Sequence, residues 1–384
     1  MSNRVVVSGI GLVTPLTPFG TIDEFWTSLC SGKDAVRKMS SPMLETGRQW
    51  LMAGIDTPSH VRPEEKFCFL ANEAIRMAIQ DARLQDLDAG LLVGTVLGNI
   101  LSKEVRLTGG AAKREAESLS YVAPYLAAQY DLKGAKLTIS TACASGTDAI
   151  GVAARKIMAG KADVMIAGGV DVLSDFALLG FHALQALTET RVRPFDKNRS
   201  GLALGEGAGF VVLESERHAA QRRATIYGRI LGYASRADAH HLTAPHREGR
   251  GLAAAVSQAL LQARLEPGKI DYINAHGTGT AYNDLMETVV IKKVFGQVAY
   301  DIPVSSTKSM LGHSFGAAGA IETICCLLSI NNKMVPPTIN YAERDPQCDL
   351  DYVPNISRVH DVRVAMSLSA GFGGQNSAII IGEG

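Results

Sequence analysis

Two patterns of hydrophobic and polar positions recur along this chain. Short, almost wholly apolar runs read as strands buried on both faces: residues 4–10, ending in Gly9, Gly11 and Pro15, then 163–167 and 210–213. Other stretches carry apolar residues at helical spacing. Residues 63–83 place Phe67, Leu70, Ala74, Ile75, Ala78 and Ile79 on one stripe, opened by Pro63, with Glu64 and Glu65 at the positive end of the helix dipole. Residues 251–265 repeat the stripe through Leu252, Val256, Leu260 and Ala263. Strands alternating with amphipathic helices predict an α/β fold with covered sheets.

The pattern also echoes itself. Residues 137–160 run from a β-prone strand, Leu137 to Ser140, through a polar turn into a helix of small residues. Residues 302–330 do the same, with Val304-Ser305-Ser306, then Lys308 to His313, then the Ala- and Gly-rich 315–320. Two strand–turn–helix units, each with chemistry in its turn, predict two similar halves meeting at one site. No low-complexity linker separates them, so the halves are expected to pack as one body. The division is placed near residue 225, after the Arg222-Arg223 turn, giving halves 1–225 and 226–384.

Composition narrows the class. The chain has 384 residues, 46% hydrophobic and 20% charged, with 38 glycines, which fits a compact, largely buried enzyme and not a disordered chain. Lys plus Arg and Asp plus Glu are both 38, so no global basic field draws nucleic acid or an anionic membrane. No apolar run approaches the ~18 residues of a membrane span. The start, Met1-Ser2-Asn3-Arg4 before Val5-Val6-Val7, lacks the parts of a signal peptide. Cys30, Cys68, Cys143, Cys325, Cys326 and Cys348 show no CxxC spacing, and reduced thiols in a cytoplasmic protein are expected.

Four short segments carry the chemistry. In Thr141-Ala142-Cys143-Ala144-Ser145-Gly146 a strand ends and Cys143 sits at a helix start, where the dipole favours thiolate. The small neighbours Ala142, Ala144 and Gly146 would let a bulky acyl chain approach and leave backbone N–H groups free. Cys325 and Cys326, inside an apolar helical run, read instead as small buried hydrophobes. In Asn274-Ala275-His276-Gly277-Thr278-Gly279-Thr280 a strand delivers His276 into a loop whose threonines can donate hydrogen bonds to a ligand amide or phosphate. The third segment, Ser305 to His313, precedes a helix. His240, His241 and His246 lie in a polar loop without a clear metal-ligand pattern. The fourth, Ser369-Ala370-Gly371-Phe372-Gly373-Gly374, lacks a phosphate-loop Lys and a following helix, so it is no nucleotide cradle. Its expected use is to bring backbone N–H groups close to a reacting oxygen.

Taken together these segments resemble the β-ketoacyl-[acyl-carrier-protein] synthases of the thiolase superfamily, type II, over nearly the whole chain. The resemblance extends to Gly9-Ile10-Gly11, Arg193-Pro194-Phe195-Asp196, Gly205-Glu206-Gly207-Ala208-Gly209, Val335-Pro336-Pro337-Thr338 and Asp349 to Pro354. It implies a thiolase-like, five-layered αβαβα fold of two similar halves, usually dimeric. It implies an acyltransferase that condenses a Cys-bound acyl group with malonyl carried on acyl carrier protein. By that resemblance Cys143 is the nucleophile, His276 and His313 are the paired catalytic histidines, and Lys308 and Glu322 complete the catalytic set. Asp284 and Glu287 match acidic positions downstream of the first histidine. Thr278 and Thr280 match the residues that bond the phosphopantetheine arm. Phe372 matches the gate residue and, with Cys143, supplies the oxyanion-hole N–H groups. No metal or organic cofactor is expected, the phosphopantetheine arriving on the carrier protein.

Two departures bear on substrate. Ala370 stands where the family turn has a first Phe, which should widen the acyl pocket beside Phe372. The segment from Gly94 to Ala123 is shorter and more charged than in fatty-acid enzymes, through Lys103, Glu104, Arg106, Lys113, Arg114 and Glu115. Both predict a specialised chain, such as a polyene or polyketide, in place of an ordinary saturated one. Arg62 and Lys66 are candidate contacts for an acidic carrier protein. A degradative thiolase would need a second cysteine in 369–377, and the type III branch uses one His and an Asn. A non-catalytic chain-length partner in a heterodimer would lack the nucleophile, whereas a catalytic subunit that needs such a partner fits, so both homodimer and heterodimer stay open.

Overall fold

The computed structural model describes residues 4–41, 47–85, 88–112 and 117–384. Ten strands join into one sheet. In chain order they are β1 (Val5–Val13), β2 (Gly90–Gly94), β3 (Lys136–Ile139), β4 (Val164–Asp171), β5 (Gly207–Ser215), β6 (Gly228–Ala237), β7 (Tyr272–Asn274), β8 (Val304–Ser305), β9 (Val364–Gly371) and β10 (Gln375–Gly382). Their spatial order is β3-β2-β4-β5-β1 followed by β6-β10-β9-β7-β8. Read outward from the junction, the two sets have the same order, strand for strand.

Directions repeat as well. β3, β2 and β4 are mutually parallel, and β5 runs antiparallel to both β4 and β1. Likewise β8, β7 and β9 are parallel, and β10 runs antiparallel to β9 and β6. The sets meet where Val5–Val7 of β1 pair antiparallel with Gly228–Ile230 of β6. The echo seen in the sequence is therefore a duplication of topology. β1, β4 and β5 are buried along their whole length, which is why they read as unbroken apolar runs.

Six helices supply the covering layers: α1 (Lys66–Asp81), α2 (Leu119–Ala128), α3 (Ser145–Met158), α4 (Arg250–Ala263), α5 (Ala281–Phe295) and α6 (Ala318–Asn332). α1 and α2 pack on the outer face of the first set of strands, and α4 and α5 on the outer face of the second. α3 and α6 fill the space between the sets, sharing one core with β1, β5, β6 and β10. The result is the five-layered αβαβα arrangement.

The crossing of α3 and α6 explains their small residues. A Cβ on Gly146 would lie 2.6 Å from Gly316 O and 2.9 Å from Ala320 N, and one on Gly319 would lie 2.0 Å from Thr147 Oγ1. Gly146 thus serves helix packing, a correction to its reading as space for an acyl chain. The helix expected over 63–83 resolves into a 3₁₀ turn, Pro63–Glu65, running into α1. Proline suits that first turn, where its missing N–H leaves no bond unmade.

Candidate active site

Cys143 stands in the connection from β3 to α3, one residue before the helix cap Ala144. The bend depends on Ala142, whose φ of +51° is in the left-handed region, a conformation costing a non-glycine residue about 1–3 kcal/mol. Neighbouring bonds hold it. Ser145 Oγ accepts from Thr141 N (2.9 Å) and donates to Ala142 O (2.5 Å). Thr141 Oγ1 donates to Asp148 (2.6 Å), whose carboxylate also accepts from Tyr233 OH (2.9 Å) and from Ser377 Oγ. Asp148 thereby ties the bend to β6 and β10 of the opposite half.

The β9–β10 hairpin closes over this bend. Gly371 lies so near that a Cβ there would be 3.0 Å from Cys143 N. The Phe372 N–H lies close enough to the Cys143 sulfur to favour its ionised form. Beyond the bend, Gly373 and Gly374 both take positive φ, and Gly374 packs on Asp238. The glycine-rich turn therefore places backbone beside the thiol.

The thiol's protonation departs from expectation. Burial pushes the Cys143 thiol from 9.0 up to about 12, with Asp171 adding to the rise and Lys308 opposing it. The helix start does not outweigh burial, because most of what surrounds the sulfur is protein and not water.

His276 and His313 reach Cys143 from two different connections of the second half. β7 ends at Asn274, and the loop after it is pinned by Glu287, which accepts from His276 N and Gly277 N (both 2.7 Å). Asp284 pins the same loop from Gly279 N (3.2 Å) and holds Phe195 N (2.8 Å). Burial raises both carboxyls, Glu287 to about 8 and Asp284 to about 6. His313 follows a short helical turn, Lys308–Leu311, and Gly312 at φ +67°. Its backbone is clamped to the strand beside Leu204, its N donating to Ala203 O (2.8 Å) and its O accepting from Gly205 N (2.9 Å).

His313 Nε2 lies 3.0 Å from Cys143 Sγ. The two imidazoles stand nearly perpendicular (85°) with centroids 5.2 Å apart. Both are buried, and burial followed by the Lys308 charge holds each well below the usual histidine range. Lys308 forms a buried ion pair with Glu322, whose carboxyl is raised by burial to about 7. Among the described residues, Nδ1 of each histidine and Oε2 of Glu322 are buried without a partner.

A cavity of about 380 Å³ opens onto Cys143 and both histidines. Thr278 and Thr280 line it with their hydroxyls 2.9 Å apart, and Ala370 and Phe372 line it too. The Phe372 ring, 36% exposed, stacks on Phe181 at 5.4 Å. The loop holding His240, His241 and His246 sits at the same mouth: Leu242 O accepts from Gly373 N (2.7 Å), and Asp238 N donates to Gly374 O (2.8 Å). Sequence reasoning gave that loop no role.

Other expectations fare differently. Lys66 is no free carrier contact: it is committed to the buried carboxylate of Glu206 (2.5 Å). Arg62 is engaged by Glu64 and Glu65. Glu104 accepts from Phe176 N, and Arg106 makes a two-pronged pair with Glu117. Lys113, Arg114 and Glu115 lie outside the described residues.

Sequence reasoning missed two buried acids, Asp148 and Asp171. Asp171 accepts from Thr95 Oγ1 (2.7 Å), Val96 N (2.9 Å) and Gly316 N (2.8 Å), and burial raises it to about 6. The available signal was an acid ending an apolar strand for Asp171, and an acid in the first turn after the cysteine for Asp148.

Residues 2–219 match the family described as "Beta-ketoacyl synthase, N-terminal domain", and residues 227–342 match "Beta-ketoacyl synthase, C-terminal domain". The chain is 37% identical to a 3-oxoacyl-[acyl-carrier-protein] synthase 2 of Coxiella burnetii, covering 98% of each. It superposes on the ishigamide ketosynthase/chain length factor with a TM-score of 0.91 at 34% identity, covering both chains fully. A ketosynthase bound to a hexaketide, in complex with its type II polyketide acyl-carrier protein, gives 0.90 at 34% identity, again over both chains.

Proposed function

Because the chain belongs to the β-ketoacyl synthase family, we propose that it makes carbon–carbon bonds by decarboxylative Claisen condensation. Its substrates are an acyl and a malonyl group carried on acyl carrier protein, in fatty acid or type II polyketide synthesis. The observation that carries this reading is the convergence of Cys143 Sγ with the two histidines, His313 Nε2 at 3.0 Å, at the foot of one cavity.

Cys143 Sγ attacks the carrier thioester. A new C–S bond forms, the old one breaks, and the proton of Cys143 leaves with the carrier's pantetheine thiol. N–H groups of Cys143 and Phe372 receive the oxyanion. Malonyl-carrier protein then enters, its phosphopantetheine arm held by Thr278 and Thr280. Its C–C bond breaks, carbon dioxide departs, and the electron pair becomes an enolate. His276 and His313 offer N–H donors to the enolate oxygen, the neutral state of each ring following from its burial and from Lys308. The enolate carbon attacks the Cys143 thioester, the C–S bond to Cys143 breaks with its electron pair going to sulfur, and the sulfur takes a proton from solvent to restore the thiol. Glu322 keeps the Lys308 charge in place beside the histidines. Asp284 and Glu287 act as positioning residues, by holding the 276–280 loop.

Ala370 leaves room beside the thiol, and we assign the enzyme to unsaturated or polyketide chains on that ground. It works as a dimer with itself or with a related ketosynthase-like subunit. A purely non-catalytic chain-length role is disfavoured by the complete set around Cys143. We place the division between halves near residue 225, and the protein in the cytoplasm, where its cysteines, unbridged in the structure, stay reduced.

Intact mass after incubation with a panel of acyl-carrier proteins tests the reading. One acyl adduct on the wild type, absent in Cys143→Ala, is expected, with unsaturated or keto-bearing donors fastest. No adduct from any donor, alone or with a partner subunit, would sink the assignment; equal rates on saturated long chains would sink the substrate class.

A further inference from the structure

We propose that Cys143, His276 and His313 also form a binding site for a soft divalent transition-metal ion, Zn²⁺ foremost, which closes the enzyme reversibly while Cys143 is unacylated. One ligand atom from each residue, the sulfur and one nitrogen of each imidazole, lies within 4.8 Å of the other two, and all three residues are buried. Tetrahedral zinc, with bonds near 2.3 Å to sulfur and 2.0–2.1 Å to nitrogen, sets such atoms roughly 3.3–3.6 Å apart. The 3.0 Å separation of Sγ and His313 Nε2 must open by about half an ångström to admit it. The two rings stand nearly perpendicular (85°) with centroids 5.2 Å apart, so they are not stacked face to face.

The donor set selects the ion. One thiolate and two neutral imidazoles suit zinc, copper or cobalt, whereas magnesium and calcium require oxygen ligands. Neutral rings present a nitrogen lone pair without losing a proton, provided each carries its hydrogen on the nitrogen away from the metal, the tautomer opposite to the one that donates to the enolate. The balance is one proton: the Cys143 thiol gives up its hydrogen to solvent as the S–metal bond forms. The nearby Lys308 cation, which would repel a metal, is paired with Glu322. A fourth coordination position faces the cavity, which gives both a path of entry and room for a water molecule. Once Cys143 holds an acyl group its sulfur carries no charge to give, so metal and acyl group exclude each other. That exclusion rests on Cys143 being the nucleophile; the metal binding does not.

Titration of the full chain with Co²⁺ tests this directly, through the thiolate-to-cobalt absorption in the near ultraviolet. The wild type should gain the band with one equivalent and lose it on adding Zn²⁺. Cys143→Ala and Cys143→Ser, both checked for folding by circular dichroism, should not show it. His313→Ala should weaken binding on the order of tenfold or more. His246→Ala, which alters a histidine pair (His240 and His246 rings 5.0 Å apart) in the loop whose residues 243–245 line the cavity, should leave it unchanged. Absence of the band in the wild type, its survival in Cys143→Ser, or its loss in His246→Ala would overturn the proposal. If the band forms but no carrier donor ever acylates Cys143, the metal site stands and the nucleophile reading falls.

Discussion

The turn that carries Cys143 and the turn that leads into α6 are built alike and do different work. In each, a non-glycine residue takes the left-handed conformation, Ala142 at φ +51° and Phe315 at φ +48°. In each, the central helix begins three residues later, at Ser145 and at Ala318. The residue after the bend is Cys143 in the first half and Gly316 in the second. Gly316 has no room for a side chain: a Cβ would lie 2.7 Å from Asp171 Oδ2 and 2.8 Å from Thr95 Cα. Its N–H is given to Asp171. The second turn is therefore occupied by packing, and its half places Lys308 and His313 in the longer connection, 306–317, that precedes α6. A duplicated scaffold thus places one thiol, with the two histidines beside it, at a cavity, because one copy of the bend is exposed to that cavity and the other is pressed against the first half.

That difference can be tested at several points. Lys308→Met strands Glu322 in the interior, and loss of one partner of a buried pair costs about 3–5 kcal/mol. A fall in unfolding free energy of that size, measured by urea denaturation, is expected, and a near-neutral result would show that the second connection does not depend on the pair. His276→Ala should slow malonyl decarboxylation about 10²–10³-fold, the loss of one oxyanion donor, while Cys143 still accepts an acyl group. Equal loss of both steps would mean the two halves do not divide the chemistry. Gly316→Ala should destabilise by about 1–3 kcal/mol through overpacking, measured by urea unfolding. If it is tolerated without cost, the second bend is not closed by contact with Asp171 and Thr95.

The smallest effect concerns charge. A thiol raised by burial to about 12 is almost wholly protonated at pH 7, and its thiolate fraction grows with each step upward in pH. Iodoacetamide alkylation of Cys143 should therefore climb about tenfold per pH unit between 7 and 9.5 without levelling. A plateau in that range would mean that the helix start and Lys308 outweigh burial.

Much of this molecule was legible along the chain. The strands of the first half announced themselves as apolar runs because both faces of the sheet are covered, and α1 and α4 by stripes at helical spacing. Cys143 and His276 stood out because each lies in a short connection directly after a strand, and Lys308 and His313 because they lie in the polar connection that leads into α6. The exception was β2, Gly90–Gly94, whose five residues between turns are too few for a period to show.

What the sequence alone determined was thus the alternation of elements, the internal repeat and the identity of the residues at the thiol. Tertiary structure decided their state and their supports. Lys66 looked free until Glu206, 140 positions away, took it. Asp148 and Asp171 looked ordinary until folding placed β6, β10 and Gly316 against them. The Cys143 thiol looked set to ionise until both halves closed around it. The reason is common to all three: a dipole or a cap acts through neighbours in sequence, whereas desolvation and pairing depend on which distant groups exclude water from the same point.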